Sequence, residues 1–323
     1  MLLQHNELVD LPSRNHHDIA DLLLVNPVAG GGRAGAVVPN LLEFSSARGW
    51  NVEICVAKNP QDLAAKARTA AEAGRQRILV LGGDGTFQLL INALANYPNL
   101  VLGVIPAGGG NDFAAALGLP ADPIQAAALL LDGEVCQLDL VRLRTSDGGE
   151  FLYSGGGGTG VDALAANYAN GRYRHFRGRL RYLLAALRAL LGFRAFRVRV
   201  LIDSAKPQYI ESFVLLVAVL NTSSYGAGFC LAPNAKTDDG KLELVLLDNL
   251  SLIEILYLLP AFVSRGQLKT KRLRRFTVTC VRIETDSSCW FQGDGELLGM
   301  TPVEIAVVPR AIRVLRPKSQ NND

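Results

Sequence analysis

Short apolar runs alternate with helical patterns over the first part of the chain. Strands are predicted at 22–25, 52–56, 78–81 and 101–105, the helical patterns lie at 34–48, 61–73 and 87–94, and a further short helix ends at 131. Short continuous apolar runs are typical of strands that are buried on both faces of a parallel sheet. Their alternation with helices predicts right-handed βαβ units, so we predict an α/β domain with a parallel sheet over 22–134.

The pattern changes after residue 134, where stretches rich in β-branched residues dominate. Strands are predicted at 135–143, 151–154, 196–202, 209–220, 242–247, 275–283 and 303–308, interrupted by helices at 179–191 and 252–263. Such stretches predict a β-rich, mostly antiparallel second domain over 135–309. We expect the segment 310–323 to return to the first domain, and residues 1–21 to form a flexible extension.

Composition narrows the class of protein. The 323 residues are 49% hydrophobic and 20% charged, which describes an ordinary globular chain. A net charge of +3 is too small to indicate nucleic-acid binding, so no nucleic-acid partner is predicted. The five cysteines form no C-x-x-C pair, which argues against zinc, redox chemistry and disulfides and favours the cytoplasm. No apolar stretch is long enough for a membrane span, so any membrane contact is expected to be peripheral.

Three glycine-rich loops follow successive predicted strands. They are Asn26-Pro27 with Gly30 to Gly32, then Gly82-Gly83-Asp84-Gly85-Thr86, and then Gly108-Gly109-Gly110-Asn111-Asp112. Because the carboxyl ends of parallel strands share one rim of a sheet, we expect the loops to converge there. Bare backbone amides and helix N-termini suit a polyphosphate, although each loop alone is also explained as a tight turn. Asp84 would repel phosphate unless a cation intervenes, so it indicates Mg²⁺ or proton handling.

Further acids stand in positions that suit chemistry. Asp294-Gly295-Glu296 follows a strand-like stretch and brings two acids into a tight turn, although a simple hairpin gives the same pattern. Asp139 lies within an apolar strand, where a carboxylate needs a partner or a metal unless it faces water. Asp238-Asp239-Gly240 is read either as a common turn or as a metal loop.

The ordered set of motifs resembles the diacylglycerol kinase catalytic family, and in particular its bacterial soluble lipid kinases, which are related to sphingosine kinases. The motifs are Asn26-Pro27, Gly82 to Thr86, Pro106-Ala107-Gly108 with Asn111-Asp112-Phe113, Ala232-Pro233 with Asp238-Asp239-Gly240, and Asp294-Gly295-Glu296. The resemblance covers nearly the whole chain from Leu22. NAD kinases share the central loop and 6-phosphofructokinases have a similar one, so the order of the full set carries the resemblance.

The resemblance implies a cleft between a nucleotide-binding domain and a β-rich domain, in which ATP and Mg²⁺ phosphorylate a lipid hydroxyl such as that of diacylglycerol. The residues implied to bind the nucleotide are Asn26, Pro27, Gly82, Gly83, Asp84, Gly85, Thr86, Gly108, Gly109, Asn111 and Asp112. Asp84, Asp112 and Asp139 are implied to organise Mg²⁺, and Asp294 with Glu296 to supply the general base, with the choice between the two left open. A structural Mg²⁺ is implied at Lys236, Asp239 and Lys241, where Asp239 gives its side chain and the lysines give backbone carbonyls.

Three positions depart from the family's pattern. Gly109 occupies a position where family members often have threonine. Gln88-Leu89 occupies positions where they often have Asn-Glu. Lys58 occupies a position where some relatives have a threonine that helps to hold the nucleotide. These departures bear on nucleotide recognition and leave the phosphate loops and acids in place. Two other functions stay open on the sequence: a soluble kinase acting on NAD or a sugar phosphate, and a non-catalytic nucleotide-binding regulator.

A long basic segment contains no acid between Asp162 and Asp203. Its arginines are 172, 174, 177, 179, 181, 188, 194, 197 and 199, interleaved with leucines and aromatic residues, and a second basic run holds Arg265, Lys269, Lys271, Arg272, Arg274 and Arg275. The pattern favours an amphipathic helix that lies on anionic lipid, although a packed helix with a solvated basic face fits as well. The predicted partners are therefore a lipid substrate and the inner membrane surface, contacted peripherally from the cytoplasm. A homodimer is left open.

Overall fold

The structure is a computed structural model. It describes residues 20–173, 175–176, 179–203, 207–226, 228–251, 253–254, 257 and 270–318. Residues 1–19 of the predicted extension and most of the helix predicted at 252–263 lie outside the described residues, as do Arg174, Arg177, Arg265 and Lys269 of the two basic runs.

The N-terminal half is a parallel α/β layer. Its elements are β1 (Asp21–Val25), a 3₁₀ turn (Ala29–Gly31), α1 (Arg33–Ala47), β2 (Val52–Val56), α2 (Pro60–Glu72), β3 (Arg77–Gly82), α3 (Asp84–Ala93), β4 (Val101–Pro106), α4 (Asp112–Ala116) and α5 (Pro123–Leu131). The strands run in the order β2-β1-β3-β4, and every adjacent pair is parallel. Local sequence sets the element ends: Asn59 accepts the backbone N–H of Asp62 at 2.8 Å to cap α2, and Pro60 opens that helix.

The C-terminal half is dominated by strands. Its elements are β5 (Glu134–Thr145), β6 (Glu150–Tyr153), β7 (Gly156–Gly160), α6 (Val161–Asn170), α7 (Arg179–Gly192), β8 (Phe196–Asp203), β9 (Gln208–Leu220), β10 (Ser224–Tyr225), β11 (Phe229–Cys230), β12 (Leu242–Asp248), β13 (Leu273–Val278), β14 (Cys280–Thr285), β15 (Trp290–Gly293), β16 (Glu296–Met300) and β17 (Val303–Arg316). Strands β16-β15-β7-β9-β8-β14-β17 follow one another in an antiparallel sheet, and β12 continues from β9 to β13. The predicted fold class, a parallel N-terminal α/β layer followed by a mostly antiparallel β-rich region, is confirmed.

Strand β17 links the two halves. Its first residues pair with β14 and β5, whereas Arg313 and Val314 pair in parallel with Val101 and Leu102 of β4. The register of β17 against β5 shifts between Val308 and Ile312, where Arg310 has a φ of 50°. One strand therefore belongs to both sheets, and the backbone hydrogen-bond network is continuous from β16 to β2.

Two local predictions differ from the structure. The single strand predicted at 275–283 is wrong: β13 ends at Val278 and pairs with β12, whereas β14 begins at Cys280 and pairs with β8 and β17. The apolar pattern runs through this break, so the pattern gives no sign of it. Helix α3 begins at Asp84 rather than Phe87, because the loop residues Asp84 to Thr86 themselves form its first turn. No helix in the described part of the chain is long and apolar enough to cross a bilayer.

Candidate active site

The three glycine loops meet at one rim of the parallel sheet, as predicted. A Cβ placed on Gly30 would lie 2.0 Å from the carbonyl oxygen of Ala107, and one placed on Gly108 would lie 2.5 Å from the Cα of Gly83. Backbone therefore packs directly on backbone at both points, and only glycine permits that approach.

Side chains fix the loops in this arrangement. The Asn26 Nδ2 donates to the Thr86 Oγ1 at 2.9 Å, which joins the first loop to the second. Asn111, with a φ of 58°, accepts the backbone N–H of Gly108 at 2.9 Å and donates back to the Gly108 carbonyl at 3.1 Å. The Pro27 carbonyl accepts the N–H of Gly35 at 3.3 Å, which ties the first loop to α1.

The remaining loop glycines also lie at this rim. The Gly82 carbonyl accepts the N–H of Ala107 at 2.7 Å, and the Thr86 side chain occupies the space where a Cβ on Gly82 would lie. Gly109 follows Gly108 in the third loop and is partly exposed. The predicted nucleotide-binding residues are thus gathered in one place, while their role stays a prediction.

Asp84 is the first residue of α3 and reaches across to the third loop. Its Oδ1 accepts the backbone N–H of Phe113 at 3.1 Å, and the rings of Phe87 and Phe113 stack at 4.7 Å beneath this contact. Burial raises the pKa of Asp84 above its usual range, while the N–H groups of Phe113, Asp112 and Asn111 oppose that shift. A nearby cation would relieve the cost of burying this charge.

Asp294 and Gly295 are the two central residues of the β15–β16 hairpin. Their φ values are 49° and 91°, and positive values at both positions suit a tight two-residue hairpin turn. The Asp294 carboxylate accepts four hydrogen bonds at 2.8–3.0 Å, given by the N–H and Oγ of Ser154 and the N–H groups of Gly155 and Gly156. The hairpin reading is therefore correct, and the same turn delivers a fixed carboxylate.

The electrostatics of Asp294 are unusual for an aspartate. Burial raises its pKa to about 6, the negative charge of Asp84 adds to the shift, and the N–H groups of Ser154, Gly156 and Gly155 oppose it. A carboxylate with a pKa near neutrality is well suited to accept a proton.

Glu296 lies at the start of β16 and faces the first turn of α3. A Cβ placed on Gly85 would lie 3.2 Å from the Glu296 Oε1. Burial raises the pKa of Glu296, and the charge of Arg181 opposes this effect. The acids of the Asp-Gly-Glu turn thus both come close to the central glycine loop.

A cavity of about 160 Å³ opens at this point. Asp84, Asp112 and Asp294 contribute to its lining, and Asp112 is held by the Ser224 Oγ at 3.2 Å. The apolar part of the lining comes mainly from α6, α7, β9 and β12, through Val161, Ala165, Ala186, Leu190, Leu216 and Leu247. The cavity therefore combines carboxylates with an aliphatic wall.

The sequence alone assigns no catalytic role to the stretch Gly155 to Asp162. It resembles the family's segment where the second domain meets the cleft, and a flexible turn explains it equally well. In the structure it forms a fully buried glycine strand followed by a helix, and Asp162 lines the cavity. The Gln292 Nε2 donates to the Asp162 Oδ2 at 3.2 Å, and the Gln292 Oε1 accepts the N–H of Gly295 at 2.8 Å. The glycine run was the available signal, because strand residues without side chains mark close packing of backbone.

Asp139 lies with the 236–241 loop and not in the lining of this cavity. It is fully buried, which excludes the alternative that it faces water. Its carboxylate accepts the N–H of Gly240 at 2.7 Å and that of Arg310 at 2.8 Å. In the same loop the Asp239 Oδ1 accepts the N–H of Lys241 at 3.1 Å. The metal roles of Asp139, Lys236, Asp239 and Lys241 stay predictions.

The cavity acids fit a magnesium ion shared with a nucleotide. Among the described residues, no three His, Cys, Asp or Glu side chains are close enough together to hold a metal by themselves. Mg²⁺ commonly takes one or two carboxylates and completes its shell with phosphate oxygens and water. Carboxylates lining one cavity beside the glycine loops meet that requirement, and the raised pKa values of Asp84 and Asp294 are those of charges that a cation would stabilise.

Comparison with known proteins identifies the family. Residues 21–143 match the diacylglycerol kinase catalytic domain, and residues 157–316 match the YegS C-terminal NAD kinase beta sandwich-like domain. A diacylglycerol kinase of Mycobacterium tuberculosis (strain ATCC 25618 / H37Rv) is 32% identical over 309 residues, covering 94% of this chain and 97% of the relative. One from Bacillus subtilis (strain 168) is 26% identical over 300 residues, covering 92% and 96%.

A solved structure shares the fold. The crystal structure of a diacylglycerol kinase from Bacillus anthracis str. Sterne superposes with a TM-score of 0.70 at 21% identity, covering 93% of this chain and 97% of that one. The chain belongs to the diacylglycerol kinase family, which confirms the resemblance seen in its motifs. Membership of this family supports the conclusion that the chain is a kinase.

Proposed function

We propose that the chain is an ATP- and Mg²⁺-dependent lipid kinase that transfers the γ-phosphate to a hydroxyl of diacylglycerol or a similar lipid. The observation that carries the proposal is the cavity in which four acids, Asp84, Asp112, Asp162 and Asp294, meet an aliphatic wall. Phosphoryl transfer requires neutralised phosphate charge, an aligned hydroxyl and a carboxylate, and an acyl lipid requires apolar surface.

The glycine loops are suited to the nucleotide phosphates. Their backbones are brought together without intervening side chains at Gly30 and Ala107 and again at Gly83 and Gly108. Glycine loops of this kind let the backbone approach an anion closely. Asp84 and Asp112 would hold Mg²⁺, which when bound neutralises phosphate charge. Asp84 is fixed by Phe113 and Asp112 by Ser224, so both carboxylates are positioned in advance.

Asp294 is the better placed of the two candidate bases. It lines the cavity, whereas Glu296 is not among the described lining residues. We assign Asp294 as the group that accepts the proton of the lipid hydroxyl, while the hydroxyl oxygen bonds to the γ-phosphorus and ADP leaves. The Ser154 hydroxyl bonded to Oδ2 can rotate away, which frees a lone pair for the incoming hydroxyl.

The aliphatic wall favours a lipid acceptor over NAD or a sugar phosphate. A water-soluble acceptor gains little from the apolar side chains of α6 and α7, whereas an acyl chain is stabilised by about 0.8 kcal/mol for each buried methylene. Ala186 and Leu190 of α7 contribute to this wall.

Helix α7 is also suited to contact with a membrane. Leu180 and Leu191 are exposed, and Arg188 and Arg194 lie on the same segment. A surface of leucine and arginine fits the interface of an anionic bilayer. We place the protein in the cytoplasm, at the inner membrane surface, where its substrate would reside. Arg188→Glu with Arg194→Glu is expected to weaken sedimentation with phosphatidylglycerol vesicles and to leave the protein folded.

An acceptor screen tests the function. Purified protein with labelled ATP and Mg²⁺ is offered diacylglycerol, monoacylglycerol and a sphingoid base in mixed micelles, and NAD in solution. We expect phosphate transfer to a micellar lipid. Transfer to NAD alone, or nucleotide binding without transfer to any acceptor, would overturn the proposal.

The cavity wall offers a sharper version of this test. Ala186→Phe is expected to reduce phosphorylation of long-chain acceptors at least tenfold and to leave nucleotide binding unchanged, because the ring fills space next to Leu190. The matched control is Ala65→Phe, at an exposed position of α2. Equal lipid phosphorylation by the two folded variants would contradict the role of this wall.

A further inference from the structure

Helix α3 carries Asp84 at its first residue and two amide side chains on the same face. Gln88 and Asn92 follow at intervals of four residues, the spacing that places side chains above one another on a helix. Gln88 is buried, with 5% of its surface exposed, whereas Asn92 lies at the surface. Both side chains reach the β-rich half of the molecule.

Each of the two side-chain amides forms hydrogen bonds with main chain near Asp294. The Gln88 Nε2 donates to the carbonyl of Gly293 at 3.1 Å, and Gly293 immediately precedes Asp294. The Asn92 side chain donates to the carbonyl of Leu152 at 2.7 Å and accepts its N–H at 2.9 Å. Leu152 lies two residues before Ser154, which donates two of the four hydrogen bonds to Asp294.

These contacts form a short path between the two halves of the site. On one side, a single turn of α3 joins Gln88 to Asp84. On the other side, Gly293 leads directly to Asp294. Because Gln88 is neutral, it anchors the turn without adding charge between two carboxylates whose pKa values are already raised. A buried amide that loses its acceptor is costly, so the side chain has a strong preference for this bond.

We infer that Gln88, supported by Asn92, is a positioning residue that sets the separation between Asp84 and Asp294 across the cleft. The inference rests on the proposed function, in which one acid belongs to the metal and phosphate side and the other accepts the proton. The side chain of Gln88 donates to the main chain before Asp294, so its role is to position that residue and not to take part in the chemistry.

Gln88→Met tests the inference. Methionine has a similar length and volume but no N–H donor, so the anchor is lost while the core stays filled. The matched control is Gln125→Met, at an exposed position of α5. We expect kcat to fall roughly 10- to 100-fold in Gln88→Met while the KM for ATP changes less than threefold, because the glycine loops do not depend on Gln88.

A second measurement does not require kinase activity. The backbone N–H groups of Gly155 and Gly156 donate to Asp294, so loosening the turn exposes them. Amide hydrogen exchange at these residues is expected to be at least tenfold faster in Gln88→Met than in wild type and Gln125→Met, with equal thermal stability of the rest of the fold.

The two measurements separate the possible failures. Unchanged exchange at Gly155 and Gly156 in a folded Gln88→Met protein would overturn the inference, whatever the acceptor. Faster exchange with no change in kcat would also overturn it, because the anchor would then be structural only. Absence of lipid phosphorylation in wild type, with the exchange effect present, would count against the proposed function alone.

Discussion

The carboxylate of Asp294 accepts both the backbone N–H and the hydroxyl of Ser154, at 2.8 and 3.0 Å. These residues are 140 positions apart in the chain. The contact places the hairpin acid against the junction between β6 and β7, so the geometry of one candidate catalytic group depends on a loop from a different part of the sequence. The first prediction follows from this dependence.

Asp294→Asn is expected to lower kcat by roughly 10²- to 10⁴-fold, the usual contribution of a general base. The amide also turns an N–H₂ group toward N–H donors that now bind a carboxylate oxygen, so the turn loses at least one hydrogen bond. Single-turnover phosphate transfer to diacylglycerol measures the effect. A rate within threefold of wild type in a folded variant would remove Asp294 from the role of base.

The stability of the nucleotide-free protein is expected to fall as the pH rises. The pKa of Asp294 is raised from 3.8 to about 6, so between these values the folded protein keeps a proton that the unfolded chain releases. This stabilising contribution is complete below about pH 4 and is lost as the pH rises through 6, a change of about 3 kcal/mol at 1.4 kcal/mol per pKa unit. Asp84 acts in the same direction.

Urea unfolding at pH 4.5 and pH 7.5, without Mg²⁺, measures this change. Because other groups also titrate, the quantity to compare is the difference between wild type and Asp294→Asn, in which the titrating group is absent. The free energy of unfolding of wild type should fall more than that of the variant over this range. An equal fall in both proteins would show that Asp294 titrates normally.

Asp139→Ala is expected to destabilise the protein by roughly 2–5 kcal/mol, because it removes a fully buried carboxylate that accepts the N–H groups of Gly240 and Arg310. Asp239→Ala changes an exposed carboxylate in the same loop and serves as the control, with an expected effect below about 0.5 kcal/mol. Urea denaturation measures the stability of both variants.

The same variant tests metal binding by the 236–241 loop. If added Mg²⁺ stabilises wild type and not Asp239→Ala, the loop binds the ion as the family resemblance implies.

Gly30→Ala is expected to separate the first glycine loop from the third. The added methyl group would lie 2.0 Å from the Ala107 carbonyl oxygen, so one loop must move and nucleotide affinity should fall at least tenfold. Gly32→Ala is the matched control, because Gly32 also has a positive φ, of 95°, but no atom within 4 Å of the new methyl group. Equal affinities in a fluorescence titration with a nucleotide analogue would contradict the convergence of the loops as a binding feature.

Much of the N-terminal half follows from local pattern. The strand predicted at 78–81 lies within β3 and is fully buried, because buried parallel strands are short apolar runs bounded by turn residues. The convergence of the glycine loops follows in turn from the parallel order of the strands. The sequence predicts the start of α3 three residues too late, because the first turn of this helix consists of loop residues that resemble a phosphate-binding loop.

Other features depend on contacts between segments that lie far apart in the sequence. Strand β7 contains almost only glycine, and a Cβ on Gly157 or Gly158 would lie 2.7 Å or less from atoms of neighbouring strands. Its identity as a strand depends on partners far away in the sequence. The anchoring of Asp294 by Ser154 to Gly156, and of Gly293 by Gln88, likewise joins segments that only the completed fold brings together.

Strand β17 has a consequence for the order of folding. β4 leaves the ribosome long before β17. Val101 and Leu102 pair with β3 on one side, but on the other side their parallel partners are Arg313 and Val314 of β17. During synthesis the nascent α/β layer therefore presents an open strand edge, which is a site for unwanted pairing with other chains. The edge closes only when β17 pairs with β4, and these two strands lie far apart in the sequence. We therefore expect this pairing step to limit the folding rate.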